Sequence, residues 1–234
     1  WNGAIPGAST PVSTINLWSR IDNLTVTTSA NLTRRLGDLK SNTTYYVWVK
    51  DASGNTASKA VTVGNVDVTK PTGTITSTNN VATSQTATLT LGDNVGVDKY
   101  YWGTSNPENT NVTYTAVSGS PKSTSVTKSV DAAGTYYLAV LDKAGNRTIT
   151  NKVFYKTTLT PNRGSVSPAS VITMSGNSFT IPTPGAVTGY TWGGWYKESG
   201  LTNSAGTTWT PTASSTLNGK WTVNSYSVTC EDYF

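Results

Sequence analysis

YYVWVKDASGN at residues 45–55 returns as YYLAVLDKAGN at residues 136–146. Six of the eleven positions are identical, so one structural unit is used twice. Period-two alternation predicts a strand in each copy. Tyr45, Val47 and Val49 face one side, Trp48 and Lys50 the other, and Tyr136, Leu138 and Val140 repeat the inward set. DASGN and DKAGN then read as tight turns, with Gly54 and Gly145 supplying a positive φ and Asp51 and Asp142 opening the turn.

The copies sit 91 residues apart, about the size of one immunoglobulin-like sandwich and too long for a solenoid repeat. A chain of 234 residues holds three units of roughly 70–90 residues at that spacing. Units this small bury only about 60% of the surface their unfolded chains expose. Large residues must therefore supply each core, and the 12 Tyr and 8 Trp do so. In the second copy, strands are predicted at residues 72–77, 86–91, 99–102, 112–116, 123–130, 134–141 and 147–154, the seven of an immunoglobulin-like sandwich. Leu39, Thr43, Tyr45, Val47 and Val49 form the pattern L x x x T x Y x V x V, which Val130, Gly134, Tyr136, Leu138 and Val140 largely repeat. Tyr45 and Tyr136 are thereby assigned as tyrosine corners, whose hydroxyl bonds back to the preceding loop.

Composition narrows the class. Only 12% of residues are charged, and Thr, Ser and Asn carry much of the polarity, as in exposed strands and turns of extracellular β proteins. A single cysteine, Cys230, excludes an intramolecular disulfide framework. The net charge of +5 is spread thinly, with no basic run longer than Arg34 and Arg35, and no nucleic-acid partner is expected. No apolar run approaches the roughly 18 residues of a membrane span. No signal peptide opens the chain at Trp1, and the sequence reads as a piece cut from a longer secreted or surface protein.

At the two repeated stretches the chain resembles the immunoglobulin-like repeats of large bacterial secreted and wall-attached proteins, over residues 1–157. DVTKP at residues 67–71 reads as the linker, Pro71 setting an extended start to the next strand. The expected domains are therefore 1–67 and 68–157. Trp102, Gly103 and Thr104 find their best counterpart in Trp1, Asn2 and Gly3, so the first copy lacks two strands and part of a third. Leu17, Trp18, Ile21 and Leu24 could cover the gap, or another chain could fill it by strand addition.

Beyond Tyr155 the character changes. LTPNRGSVSP from Leu159, FTIPTPGAVTGYTWGGWYKESG from Phe179 and NGKW from Asn218 form an ordered series of turns and aromatics. This series resembles the Listeria-Bacteroides repeat, the B-repeat of internalin-like surface proteins. Arg163 stands where that family usually has Gly, Trp192 where it has Phe, and Gly219 where it has Ala. The resemblance implies a small β-grasp-like module at 158–222, with Tyr190, Trp192, Trp195 and Trp221 as its core. Residues 223–234 would start a following module or cap this one. The fold expectation is all-β: tandem Greek-key sandwiches plus this module.

With no histidine, Ser-His and Cys-His nucleophiles and imidazole metal sites are excluded, and one cysteine cannot build a thiolate zinc site. The twelve acids are scattered through hairpins and linkers. No catalytic residue, no cofactor and no enzymatic activity are expected. No metal is assigned; the alternative is calcium held by Asp93, Asn94 and Asp98 in LGDNVGVDKYY. Trp18, Trp48 and Tyr101, if outward, offer flat faces to a glycan or protein. Lys-to-Asn isopeptide links of the kind found in bacterial surface sandwiches have too many candidates here to choose one.

Two readings of function survive. The first is a non-enzymatic stalk or adhesion module at the bacterial surface, facing a host or neighbouring-cell protein or glycan. The second is a set of accessory modules, carbohydrate-binding among the options, of a secreted enzyme whose catalytic domain lies outside this sequence.

Overall fold

The computed structural model describes residues 43–50, 53–64 and 66–230. It divides into two compact units, Trp1–Thr69 and Lys70–Phe234. The described residues are all-β, with no helix.

In the first unit, β1 (Thr43–Lys50) and β2 (Thr56–Val63) form an antiparallel hairpin whose register runs from Thr43 opposite Val63 to Lys50 opposite Thr56. Gly54 takes φ 92°, which an L side chain disfavours. The expectation that this copy lacks two strands and part of a third, with Leu17, Trp18, Ile21 and Leu24 over the gap, falls on residues outside those described.

The second unit begins with β3 (Thr72–Ser77), β4 (Gln85–Gly92), β5 (Val97–Gly103), β6 (Thr115–Ala116), β7 (Ser123–Val130), β8 (Gly134–Asp142) and β9 (Arg147–Thr160). A three-stranded sheet in the order β3-β4-β7 faces the β9-β8-β5-β6 part of a larger sheet. Alternation drives this sandwich. Ala87, Leu89 and Leu91 of β4 point inward with Ile75 and Val130, and meet Val97, Tyr100, Leu138, Val140 and Phe154 of the opposite sheet. Burying a side chain of this size contributes about 1.5–3 kcal/mol each. The opposite face of the small sheet carries Thr72, Thr74, Thr76, Thr86, Thr88 and Thr90 in register with Ser123, Ser125, Thr127 and Ser129, a solvated hydroxyl surface of high strand propensity.

The strand expected at 147–154 continues to Thr160, and this extension changes the domain picture. Its added residues, Thr157, Thr158, Leu159 and Thr160, favour strand, and Pro161 stops it by lacking an amide donor. Over residues 147–154 β9 pairs with β8. Beyond that, β10 (Ser170–Met174) adds antiparallel on one edge, and β15 (Ser215–Val223) adds parallel on the other. The boundary expected between residues 157 and 158 therefore falls inside a hydrogen-bonded strand, and the second unit is continuous across it.

The remaining strands are β11 (Phe179–Thr180), β12 (Tyr190–Tyr196), β13 (Ser204–Gly206) and β14 (Thr208–Trp209). β12 and β13 extend the large sheet past β15, giving the order β13-β12-β15-β9-β8-β5-β6, while β11 pairs with β14 alone. A second core forms here from Leu159, Val171, Phe179, Ile181, Trp195 and Leu217. Phe154 and Leu159 are an odd number of residues apart on one strand, so they face opposite sides and enter different cores. β10 does the same: Val171 enters the second core, Ile172 and Met174 the first. The Gln85 side chain, 4% exposed, fastens this junction by donating from Nε2 to the Ile172 carbonyl at 2.8 Å and the Asn80 carbonyl at 2.5 Å. Ile172 in turn donates its amide to the Ala82 carbonyl at 3.0 Å.

After Val223, residues 224–230 carry no strand; Asn224 is tied back by its amide to the Gly189 carbonyl at 2.9 Å, and Tyr226 and Val228 are exposed.

Candidate functional site

The DKAGN turn is built from its own residues. Asp142 Oδ1 accepts the Asn146 amide at 2.8 Å, Oδ2 accepts Asn146 Nδ2 at 2.7 Å, and Gly145 at φ 92° lets the chain reverse. Asp142 is only 2% exposed. At the same end of the sandwich, the loop after β4 closes on Asp93, whose Oδ2 accepts the amides of Val95 at 2.8 Å and Gly96 at 2.7 Å. Its other oxygen, Oδ1, is buried and has no hydrogen-bond partner among the protein's groups.

Asp93 and Asp142 bring carboxylate oxygens within 4.8 Å of each other. Two like charges this close repel, and a hard divalent cation accepting both would relieve that repulsion and satisfy the idle Oδ1. The carboxylates that converge are therefore Asp93 and Asp142, not the set read from the loop alone. Asn94 is exposed, and Asp98, half-buried on β5, is not among the described acidic residues that converge here; its carbonyl accepts the Val117 amide at 2.8 Å. Asp142 was missed because it lies 49 residues from Asp93 in sequence. The available signal was topological: connections β4–β5 and β8–β9 emerge at the same end of an immunoglobulin-like sandwich.

Tyr136 donates its hydroxyl to the Ala132 carbonyl, four residues upstream, at 3.2 Å, the bond that defines a tyrosine corner. Its ring stacks on Trp102 at 5.2 Å and meets Phe154 edge-on at 5.4 Å, so it serves the core as well as the loop. Tyr45 is half-buried on β1, and the loop before it lies outside the described residues.

Of the three aromatics considered for ligand binding, Trp18 lies outside the described residues and Trp48 sits on β1 in register with Ser58. Tyr101 is half-buried. Its hydroxyl accepts the Ser105 amide at 3.2 Å and its ring meets Tyr114 edge-on at 6.4 Å, so local structure uses it.

The aromatics of the third segment form a connected group. Trp192 meets Trp195 edge-on at 5.2 Å and Trp221 at 5.0 Å. In a regular strand, residues 192 and 195 would face opposite sides. A bulge at Gly193 and Gly194, the latter at φ 97°, shifts the register and turns both indoles to the second core. Trp195 Nε1 donates to the Pro182 carbonyl at 2.9 Å and Trp221 Nε1 to the Pro161 carbonyl at 2.8 Å. Tyr190 stands outside that core, with the Arg163 guanidinium 4.0 Å from its ring centroid in a cation–π contact.

Gly219 and Trp192 lie against each other. A Cβ at Gly219 would come within 2.8 Å of Trp192 Cζ3 and 2.5 Å of the Pro161 carbonyl oxygen. The larger indole at 192 thus occupies room that a methyl at 219 would need.

No histidine exists in the chain, and these sites present no nucleophile paired with a base. No helix among the described residues is long and apolar enough to cross a membrane. No family model, curated protein or solved structure matches this chain.

Proposed function

We propose that this chain is a non-catalytic spacer of a secreted or surface-attached bacterial protein, holding other parts of that protein at a distance. The observation that carries the reading is β9, one 14-residue strand that belongs to two cores. At about 3.3 Å per residue it extends roughly 45 Å without a linker. Two small modules joined by a flexible linker would bend at the junction, whereas a shared strand flanked by β10 and β15 resists bending. The charge-poor, Thr- and Ser-rich composition and the two resemblances favour the extracellular setting. Among the described residues, Trp102, Tyr136, Phe154, Tyr190, Trp192, Trp195 and Trp221 are taken up by cores, the corner and a cation–π contact, which favours a spacer over an adhesin.

A glycan array and a host-protein pull-down with the folded chain test this directly. The spacer reading expects no saturable binding in either. A saturable ligand whose binding is lost on Tyr101→Ala or Trp48→Ala would overturn it in favour of an adhesin.

A further inference from the structure

Leu138, Val140 and Phe154 point into the first core, so alternation puts Tyr137 and Leu141 of β8 and Ile149, Val153 and Tyr155 of β9 on the opposite face of the large sheet. All five are half-buried. Further along this face, Leu159 packs with Phe179 of β11 and Trp209 of β14 in the second core. Over Tyr137 and its neighbours, no strand of another sheet is packed among the described residues. The charged residues that alternate onto this face, Lys99 of β5 and Arg147, are both basic, and Asp98 lies at the bulge beside Val97, off the alternation. Arg147 is exposed and donates from Nη1 to the Pro107 carbonyl at 3.4 Å.

Residues 225–232 have the complementary character. Tyr226 is 77% and Val228 89% exposed, on alternate positions of a stretch, SYSVT, whose pattern is that of a half-buried strand although it pairs with no strand. Glu231 and Asp232 follow, and no basic residue comes after Lys220. This segment cannot fold back onto the face of its own chain. Arg147 lies 13 residues before Thr160 on β9, and Val223 lies five residues past Asn218, which pairs with Thr160; at about 3.3 Å per residue they are roughly 60 Å apart along the strands. The nine residues from Val223 to Asp232 span at most roughly 32 Å. A second copy has no such limit. We propose that the face formed by β5, β8 and β9 docks residues 225–232 of a second copy of this chain, with Tyr226 and Val228 on Tyr137, Ile149 and Val153 and the two acids beside Lys99 and Arg147. The contact is head-to-tail, so copies join in a row instead of closing as a symmetric pair.

Sedimentation of the folded chain tests this, under reducing conditions that keep the exposed Cys230 from cross-linking. The average mass rises with concentration and falls back in high salt. Arg147→Glu, on the face, and Tyr226→Ser with Val228→Ser, on the segment, each weaken association by about tenfold or more. All three positions are exposed, so the fold survives, as circular dichroism verifies. Mixing the face variant with the segment variant restores a one-to-one complex, since each keeps the half that the other lacks. A chain that stays monomeric at every concentration overturns the proposal, and so does a mixture that stays monomeric. Association that survives the loss of Tyr226 and Val228 also overturns it, and points to two faces meeting each other.

Discussion

The two copies of the repeated hairpin have the same turn and different fates. β1 and β2 pair up to Lys50 opposite Thr56, β8 and β9 up to Leu141 opposite Arg147, and the turn glycines Gly54 and Gly145 share φ 92°. Yet residues 57–62 of β2 are all exposed, while the equivalent strand β9 contributes Phe154, fully buried, and continues to Leu159 in a second core. Turn geometry follows from eleven local residues. Burial follows from which strands come to lie alongside, here β10 and β15, and no local pattern carries that information.

The largest break in this comparison is Phe154→Ala. A fully buried ring facing Tyr136 should cost about 3–5 kcal/mol in chemical denaturation, whereas Val63→Ala, its half-buried counterpart in the first copy, should cost less than about 1.5 kcal/mol. Equal losses would mean that the two strands are buried alike.

Calcium sharpens the contrast at the turns. If Asp93 and Asp142 hold the ion, calcium at 100 times its Kd should stabilise the chain by about 2.7 kcal/mol. Chelator should reverse the gain and Asp93→Asn should abolish it. A melting midpoint indifferent to calcium and chelator dismisses the site.

Next comes Gly219→Ala, expected to cost about 1–3 kcal/mol through overpacking against Trp192 and the Pro161 carbonyl. Combined with Trp192→Phe, which clears one of those contacts, it should cost less than the sum of the two single changes. Strict additivity would show that the two positions do not compete for space.

Gly145→Ala and Gly54→Ala should cost about 1–2 kcal/mol each, and nearly the same, because both act on one local conformation. A clear difference would show that the turns depend on their surroundings after all.

The smallest effect is expected at Glu198, which closes the turn after β12. Its Oε1 accepts the Asn203 amide at 2.7 Å, the Thr202 amide at 2.8 Å and the Thr202 hydroxyl at 2.9 Å. The Asn203 amide first, and then the Thr202 amide and hydroxyl, hold its pKa below the usual 4.5. A lowered folded-state pKa adds stability above pH 4.5 that is lost as pH falls through the folded value. Glu198→Gln should therefore lower the midpoint slightly at pH 7, with the gap to the unsubstituted chain closing in acid. A gap that persists below the folded pKa would mean the carboxylate charge is not what matters.

Much of the fold was legible because it is coded locally. Tyr136 and its neighbours mark a strand by alternation and Gly145 marks the turn, whereas the grouping of Trp192, Trp195 and Trp221 was expected only from the resemblance. What escaped was set by the partner strands. Thr158 and Leu159 read as the start of a new module because the sequence changes character after Tyr155, but the backbone continues through that change. Ile172 and Met174 lie after it and still complete the earlier core. Asp142 read as a turn residue, which it is; its approach to Asp93 depends on two loops meeting at one end of the sandwich.

The central claim is that Lys70–Phe234 behaves as one cooperative unit through β9 and β10. Native-state hydrogen exchange on Trp195→Ala tests it most directly, since Trp195 lies in the second core, 3% exposed and away from the first. The account predicts that amides of β8 and β12 lose protection together, by the same free energy. Loss confined to β12, with β8 unchanged, would contradict it and restore two independent modules.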